Sequence, residues 1–558
     1  MKLRFLNKFI SASMAVLLML SLSGCKIQKI PDASSSEVSS EISSEVSSSE
    51  ESLGNTSVTR KDIGNMISYA VSALPKTIDP SLVLSSSTDA QIVYHTSDGL
   101  VRMHNNEVKP AIAETWETDD NITFTFHLRE AYWEDATRIT ADDFYYTIRR
   151  ILDKSNKGAI PEELLMIKGA LAYRAGNADA SELGIRAVDK KTFEITLEEA
   201  NPLFIELLAA DTQSFLVRKD IIFACGESFA KSAGTYLSCG PYRISSWEED
   251  EIVIEKNPMY WDYQNVTVDS IRCMLVEDGA TRAMLYEAGE CNTYLEFLSS
   301  NENKYKDAKR SKENTLVSLA VNFDNALFAN ENFKKAVSLA IDREALVSEY
   351  SGIAYAPAEK FLPKGFFPGY DYDVAFAPST KADTQKAGEY LQTALTELEL
   401  TMETLPEIVF VSPNTLSAKK TTDSIMKMLR TNLGLTNIRI SYVSPEVAVQ
   451  YYVEGNYDMY VMNSTAPCKS PIWQLQRWNT DSIYNVSGFT SETFDGYDME
   501  TSVKEAEELL MAYAPEIPLY YKGYVYGAAE NVSGVGISTA GVKLQFQYAK
   551  VSEIKNNP

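Results

Sequence analysis

The clearest pattern of hydrophobic and polar positions begins after an Asp-Asp-Asn turn sequence. Ile122, Phe124, Phe126 and Leu128 alternate there with polar residues. A period of two residues is typical of a strand that buries one face. We therefore predict a half-buried β-strand at 122–128.

A helical period follows this strand. Phe144, Ile148 and Ile151 recur at a spacing that places them on one face of a helix. Thr140 precedes them, and Asp143 follows three residues after Thr140, which is the spacing of a capping box. The pattern predicts an amphipathic helix that begins just after Thr140.

Comparable patterns predict the other main elements of an α/β protein. The segment 407–443 indicates a strand, a helix and a second strand, which together form a βαβ unit. The remaining predicted elements are an opening strand at 66–71, a strand pair at 184–188 and 192–197, a buried helix after 201–204, a strand at 319–322 and a helix capped by Asn330.

Composition and charge narrow the class of protein. The chain has 558 residues, 45% of them hydrophobic, which allows three or four domains or fewer large ones. Its formal net charge of -25 repels phosphate backbones, so we expect no nucleic-acid partner.

The first residues have the pattern of an export signal. A positively charged start is followed by an apolar run at 9–22 that is too short to span a bilayer comfortably. The run ends in Leu-Ser-Gly-Cys, which resembles the bacterial lipobox and implies a signal peptide at 1–24 and lipid modification of Cys25. An ordinary signal peptide with an incidental cysteine is the alternative.

A low-complexity segment follows Cys25. Residues 33–52 consist almost entirely of serine and glutamate. Such a composition cannot bury enough apolar surface to offset the entropy of ordering, so we predict a disordered tether at 25–61. The folded body is expected to start at about Asp62.

Motifs for catalysis or metal binding are weak. The three histidines, His95, His104 and His127, have neither HExxH nor HxH spacing, and GxSxG and P-loop sequences do not occur. We therefore predict no enzyme activity, no metal and no cofactor. We interpret His127 as a structural strand residue. We place His95 in a surface loop, and a position facing a binding cleft is the alternative. Paired carboxylates of an extracellular hydrolase stay open as an alternative.

The cysteines other than Cys25 leave their pairing open. They are Cys225, Cys239, Cys273, Cys291 and Cys468. An odd number leaves at least one unpaired within a monomer. Cys225 and Cys239 are the closest plausible pair in sequence, and free buried thiols are equally consistent with the sequence.

Several stretches, in one order, resemble the extracellular solute-binding protein family 5. They are PAIAETW at 110–116, FTFHLR at 124–129, TADDF at 140–144, GPY at 240–242, KNPMYW at 256–261 and FKKAVSLAIDREAL at 333–346. The family comprises the oligopeptide- and dipeptide-binding receptors of ABC importers.

The resemblance implies an α/β, two-lobed fold of the type II periplasmic-binding-protein class. A discontinuous lobe I is expected at 62–85, 186–314 and 516–558. A small domain inserted in lobe I is expected at 86–185, and lobe II at 315–515.

The resemblance also implies a function. The chain would act as a monomeric receptor outside the cytoplasmic membrane, closing its lobes on a peptide and delivering it to membrane permease subunits. A metal chelate or another small solute is the alternative cargo, and ligand sensing is an alternative role.

Candidate ligand-binding residues follow from family positions. They are Tyr69, Ala70, Val71, Tyr94, Ser97, Asn322, Ser464, Thr465, Ala466, Pro467, Tyr484 and Asn485. For the aromatic residues, core packing is the alternative, and for Asn322 the alternative is a hinge residue that satisfies backbone groups. Trp473 and Trp478 are either stacking platforms or core residues.

One departure from the family pattern concerns the peptide amine. The family usually binds it with an aspartate in a W.ADY.DP segment, but Pro467 occupies that position here. Proline cannot pair with an ammonium group or donate a backbone hydrogen bond. Either the amine is held elsewhere, or the ligand is not a peptide with a free amine.

Overall fold

A computed structural model describes residues 63–83, 87–295, 309–348, 356–367, 369–466, 470–482, 485–499, 501–539 and 541–553. The predicted signal peptide and tether, together with Cys25, Pro467, Cys468 and Tyr484, lie outside these residues. Among the helices described, none combines the length and the apolar character needed to cross a bilayer.

The elements of the first half are mostly short strands with connecting helices. In chain order they are β1 (Met66–Val71), α1 (Thr88–Thr96), β2 (Val101–His104), β3 (Glu107–Pro110), β4 (Ala113–Glu117), β5 (Thr123–Leu128), α2 (Ala141–Leu152), α3 (Glu162–Leu165), α4 (Ala170–Arg174), β6 (Ile185–Ala187), β7 (Thr192–Thr196), α5 (Phe204–Ala210), α6 (Lys219–Cys225), β8 (Tyr242–Trp247), β9 (Glu251–Lys256), β10 (Ser270–Leu275), α7 (Gly279–Ala288) and β11 (Thr293–Leu295).

The second half contains longer strands and helices. They are β12 (Lys309–Val321), α8 (Ala326–Ala329), α9 (Glu331–Ala340), α10 (Arg343–Ser348), β13 (Ala356–Pro357), α11 (Thr384–Glu397), β14 (Ile408–Pro413), α12 (Leu416–Leu433), β15 (Ile438–Val443), α13 (Pro445–Glu454), β16 (Met459–Thr465), α14 (Pro471–Gln476), α15 (Glu492–Asp495), α16 (Val503–Tyr513), β17 (Glu516–Ala528), β18 (Val532–Ser533), β19 (Gly536–Ile537), β20 (Leu544–Gln545) and β21 (Lys550–Val551). A 3₁₀ turn at Pro80–Leu82 is also relevant below.

The first pattern in the sequence folds as predicted. Strand β5 buries Phe124, Phe126 and Leu128. Helix α2 begins after Thr140, and the Asp143 carboxylate accepts a hydrogen bond of 2.8 Å from the Thr140 backbone N–H. The strand and the apolar face of the helix share one core, as the two periods require.

The sheet beside this helix has the order β4-β5-β7-β6. Strand β7 pairs antiparallel with β5, and the core under the sheet continues to Leu216 and Cys239. The predicted small-domain boundary at 185/186 falls inside β6. Strand pairing favours a later end for this domain, and the division into lobes stays a prediction.

A second sheet, of order β1-β10-β9-β8, forms the core of the predicted lobe I. The opening strand predicted at 66–71 is β1, and it pairs parallel with β10. Helix α1 and the segment around Phe546 cover this sheet, so the first and last parts of the described chain share one hydrophobic core.

The predicted lobe II is built on a larger sheet with the order β11-β17-β12-β16-β14-β15. Strands β14 and β15 are parallel and α12 connects them, which confirms the predicted βαβ unit. Asn330 caps α9 by accepting a 2.9 Å hydrogen bond from the Phe333 N–H.

Strand β17 joins the two regions. Its ladder with β12 runs from Glu516 to Tyr526, β13 pairs with Tyr520 and Tyr521, and β11 pairs with Tyr526–Ala528. The sequence assigned all of 516–558 to lobe I. Because β17 pairs with β12 as far as Tyr526, most of this strand belongs to the sheet of the predicted lobe II, and only its end pairs with β11 of the predicted lobe I.

The described cysteines are free thiols. Cys239 is buried beside Ser97, and Cys225 is half-buried at the end of α6. The Cys225–Cys239 bridge is not formed, which matches the alternative of free thiols. Burial raises the pKa of the Cys239 and Cys273 thiols to about 12, so both stay protonated at neutral pH.

Candidate functional site

The first candidate residues lie on strand β1. Tyr69 is 6% exposed, and its ring centroid lies 5.7 Å from that of Phe546. Its burial raises the pKa of the phenol well above the usual value. Ala70 and Val71 are half-buried at the carboxyl end of the strand. Tyr69 is therefore a core residue in this conformation, and its role in ligand binding stays a prediction.

Tyr94 and Ser97 also point inward. The Tyr94 hydroxyl donates a 2.9 Å hydrogen bond to the Met103 carbonyl, and the Arg102 guanidinium lies 4.0 Å from the ring centroid. The Ser97 hydroxyl donates to the Leu216 carbonyl at 2.8 Å. Both side chains satisfy interior groups, so core packing, the alternative given for Tyr94, describes the observed structure.

His95 is part of helix α1, and its predicted position in a surface loop is wrong. The residue is 1% exposed. Its Nε2 accepts a 2.9 Å hydrogen bond from the Phe546 N–H, so Nδ1 carries the proton and donates to the Gln91 carbonyl at 2.7 Å. Burial lowers the pKa of His95 to about 3, and the ring is neutral.

Asn322 satisfies backbone groups at the end of β12. Its side-chain amide donates to the Gly455 and Tyr457 carbonyls at 3.0 and 2.9 Å, and its carbonyl oxygen accepts from the Asp324 N–H. The hinge interpretation of this residue agrees with these bonds. A ligand would have to replace them to bind the same amide.

The predicted wall lies at the end of strand β16. Ser464 and Ala466 are buried, and Thr465 is exposed. The Thr465 and Thr315 hydroxyls lie 2.8 Å apart across the strand pair. Asn485 lies farther along the chain, where its amide donates to three loop carbonyls. Asn485 therefore holds a loop closed and is committed to that loop.

A buried ion pair lies below this wall. The Arg477 guanidinium contacts the Glu516 carboxylate at 3.2 and 2.8 Å, and the Ser318 hydroxyl donates to the same carboxylate at 2.5 Å. Ser318 pairs with Met462 of the wall strand. The pair fixes α14 and β17 beneath the candidate site, and the sequence analysis missed it because the partners are 39 residues apart.

One contact reaches from lobe II to the predicted small domain. The indole N–H of half-buried Trp473, on α14, donates to the Glu162 carboxylate of α3 at 3.3 Å. Trp478, the other tryptophan considered, is 1% exposed and packs against Phe361 and Phe489. Trp478 is thus a core residue, whereas Trp473 lies where the two regions meet.

A small cavity adjoins the end of strand β1. It has a volume of about 370 Å³ and is lined by residues 72–75 and by Trp247, Glu248, Glu249 and Glu277, among others. The sequence analysis did not single out these acidic residues, because they come from separate connections. The described residues hold no group of three or more His, Cys, Asp or Glu side chains suited to a metal ion.

The mixed α/β sheets have the architecture of two-lobed solute-binding receptors. The family model for "Bacterial extracellular solute-binding proteins, family 5 Middle" matches residues 107–485. This chain belongs to that family.

Known relatives cover most of the chain. It is 27% identical over 481 residues to the dipeptide-binding protein DppE of Bacillus subtilis. The alignment covers 83% of this chain and 87% of DppE. Among solved structures, peptide-bound OppA of Listeria monocytogenes has a TM-score of 0.69 at 23% identity, covering 88% of this chain and all of that one. The unliganded open form of the periplasmic murein tripeptide-binding protein MppA has a TM-score of 0.73 at 20% identity, covering 89% and 99%. These likenesses confirm the type II periplasmic-binding-protein fold.

Proposed function

We propose that this chain is the extracytoplasmic receptor of an ABC importer and that it captures peptides between its two lobes. Membership of the solute-binding family over residues 107–485 carries the proposal. The names of relatives that bind dipeptides and oligopeptides support the choice of cargo.

The proposed mechanism is binding without chemistry. A peptide would lie along the end of strand β16, where backbone groups can pair with an extended ligand and confer affinity without sequence specificity. Closure of the lobes would then exclude water and commit the ligand to transport. The exposed side chain of Thr465 at this end of β16 is consistent with such access.

The remaining parts of the proposal concern location and partners. Lipid modification of Cys25 would hold the receptor outside the cytoplasmic membrane, next to permease subunits driven by cytoplasmic ATPases. Metabolic labelling with a tagged fatty acid tests the anchor. The full chain should incorporate the label, and the Cys25→Ser variant should not; equal labelling of both would contradict lipidation of Cys25.

Native mass spectrometry of the full chain, purified gently from its host, tests the cargo. We expect co-purifying masses that differ by amino-acid residues. Calorimetric titration with a mixture of short peptides should then give saturable binding. A receptor that neither carries nor binds peptides would contradict the proposal.

A non-peptide cargo is the second candidate, because Pro467 replaces the usual amine-binding aspartate. A single co-purifying mass that does not correspond to a peptide would favour it. In that case the chain would still be a solute-binding receptor, but its cargo would not be a peptide.

A further inference from the structure

A larger cavity lies away from the candidate peptide site. It has a volume of about 490 Å³ and is bounded by the 3₁₀ turn Pro80–Leu82, the end of α2, the loop after it and α6. Cavities of this size hold small organic ligands. The residues predicted to bind peptide are absent from its lining, so the family function does not account for it.

The side chains of two cations of this cavity form no hydrogen bond or ion pair among the described residues, although Asp153 lies near enough for the charge of Arg149 to lower its pKa. Arg149 and Lys157 are exposed, and within the described part of the chain neither forms a hydrogen bond or an ion pair. The chain has 77 acidic residues against 52 basic ones. Exposed Arg186, by contrast, contacts the Glu194 carboxylate at 2.8 Å. Both side chains are therefore available to an anion that enters the cavity.

The two carboxylates of the cavity both accept hydrogen bonds from other protein groups. Asp79 forms a two-pronged ion pair with Arg150 and also accepts from Ser81. Asp153 accepts from the Ser155 backbone N–H and hydroxyl and from the Tyr173 hydroxyl. Three cations against two engaged carboxylates leave the cavity with a net positive charge.

Apolar side chains also line this cavity. Phe223, on helix α6, is 72% exposed, and Leu82 on the opposite turn is 42% exposed. Tyr146 of helix α2 adds a second aromatic ring. Large apolar side chains exposed together around a concave surface are typical of ligand sites. The cavity thus combines unpaired cations with an uncovered apolar surface.

We propose that this cavity binds an organic anion, a carboxylate or phosphate attached to a small apolar group. The anionic group would lie between Arg149 and Lys157, since charge-assisted hydrogen bonds to carboxylate and phosphate are strong. The apolar group would cover Phe223. A free metabolite and an anionic lipid headgroup both have this chemistry.

Phenyl phosphate is the probe, titrated by NMR into the full chain carrying Cys25→Ser, which prevents acylation. For so small a probe the dissociation constant is expected to be on the order of 1 mM. The double variant Arg149→Gln/Lys157→Gln should weaken binding by about tenfold or more. The matched control is Lys190→Gln, which removes an exposed charge from a distant turn and should leave affinity unchanged.

The variant Phe223→Ser tests the apolar half of the site. It should abolish the preference for phenyl phosphate over inorganic phosphate while both anions still bind. Equal affinity in the wild-type chain and in the double variant would overturn the proposal, and so would an absence of saturable binding.

Vesicles of phosphatidylcholine with and without phosphatidylglycerol distinguish the two sources. Displacement of phenyl phosphate by the anionic vesicles alone assigns the site to a lipid headgroup. Saturable probe binding that vesicles do not disturb assigns it to a free anion. Peptide titrations of the same variants should match the wild type, because the cavity is separate from the proposed peptide site.

Discussion

At the scale of single residues, a buried ion pair between Arg102 and Asp98 is the centre of a hydrogen-bond network. Arg102 is 2% exposed; it contacts the Asp98 carboxylate at 3.4 Å and donates to the Tyr94 carbonyl at 2.9 Å. Asp98 also accepts hydrogen bonds from the Tyr260 hydroxyl and the Trp261 indole. The network spans residues 94 to 261 and holds candidate residues of helix α1 in the interior.

Removing the cation should therefore be costly. We expect Arg102→Met to lower the free energy of unfolding by about 3–5 kcal/mol, because the Asp98 carboxylate would stay buried without its counter-ion. Urea denaturation followed by circular dichroism measures this change. Arg186→Met, which breaks an exposed pair, is the matched control and should cost about 1 kcal/mol or less. Similar losses of unfolding free energy in both variants would show that the Arg102–Asp98 pair contributes no more to stability than an exposed pair does.

His95 should make stability depend on pH. Its native pKa is lowered by burial to about 3, whereas an unfolded histidine has its ordinary value near 6.5. Between these values the unfolded chain takes up a proton that the native chain does not. The stabilisation is therefore complete above about pH 6.5 and is lost as the pH falls toward 3, by up to about 5 kcal/mol.

Urea denaturation between pH 7 and pH 4 checks this prediction against a variant. His95→Gln should show a shallower loss of stability than the wild type over this range, although it will be less stable at pH 7. Parallel slopes for the wild type and His95→Gln would exclude His95 as the source.

At the scale of elements, the sequence predicted what local patterns determine. The strand at 122–128, the helix capped by Thr140 and the βαβ unit follow from periodicity and capping alone. The direction of the candidate side chains could not be predicted in this way. Tyr69 is buried because Phe546, which is distant in sequence, packs against it. Tyr94 is buried because Arg102, on strand β2, packs over its ring.

Gly240 shows a related limit. The Gly-Pro-Tyr motif entered the sequence analysis only as part of the family resemblance, whereas in the structure the backbone of Gly240 lies close against the end of helix α1. A Cβ atom there would be 2.6 Å from the Ser97 nitrogen and 2.7 Å from the Thr96 carbonyl carbon. The motif thus lets two chain segments touch.

A pair of alanine substitutions tests this account. Gly240→Ala should lower the free energy of unfolding by about 1–3 kcal/mol, because backbone atoms must move to admit the methyl group. Gly388→Ala, within helix α11 and with open space around it, should raise stability by about 0.5–1 kcal/mol. Thermal denaturation of both variants should give shifts of opposite sign. Shifts of the same sign would contradict the close approach at Gly240.

At the scale of the whole molecule, the described residues show two kinds of connection between the two regions. Strand β17 is a covalent connection that pairs with strands on both sides. The Trp473–Glu162 hydrogen bond is a breakable connection at 3.3 Å. A receptor that works by lobe closure needs both kinds, because the hinge must persist while the contact across the lobes forms and breaks.

The Trp473–Glu162 hydrogen bond should influence ligand affinity although neither residue is a candidate ligand-binding residue. We expect Trp473→Phe to weaken peptide binding by about three- to tenfold, because it removes one hydrogen bond, worth about 0.5–1.5 kcal/mol, from the arrangement in which the regions touch. The peptide is first identified by mass spectrometry as one that co-purifies with the receptor. Calorimetric titration of the wild type and the variant with this peptide then measures the change in affinity. Stability in urea without ligand should change much less than for Arg102→Met. Tighter binding by the variant would instead assign the Trp473–Glu162 contact to the open state, which closure must break.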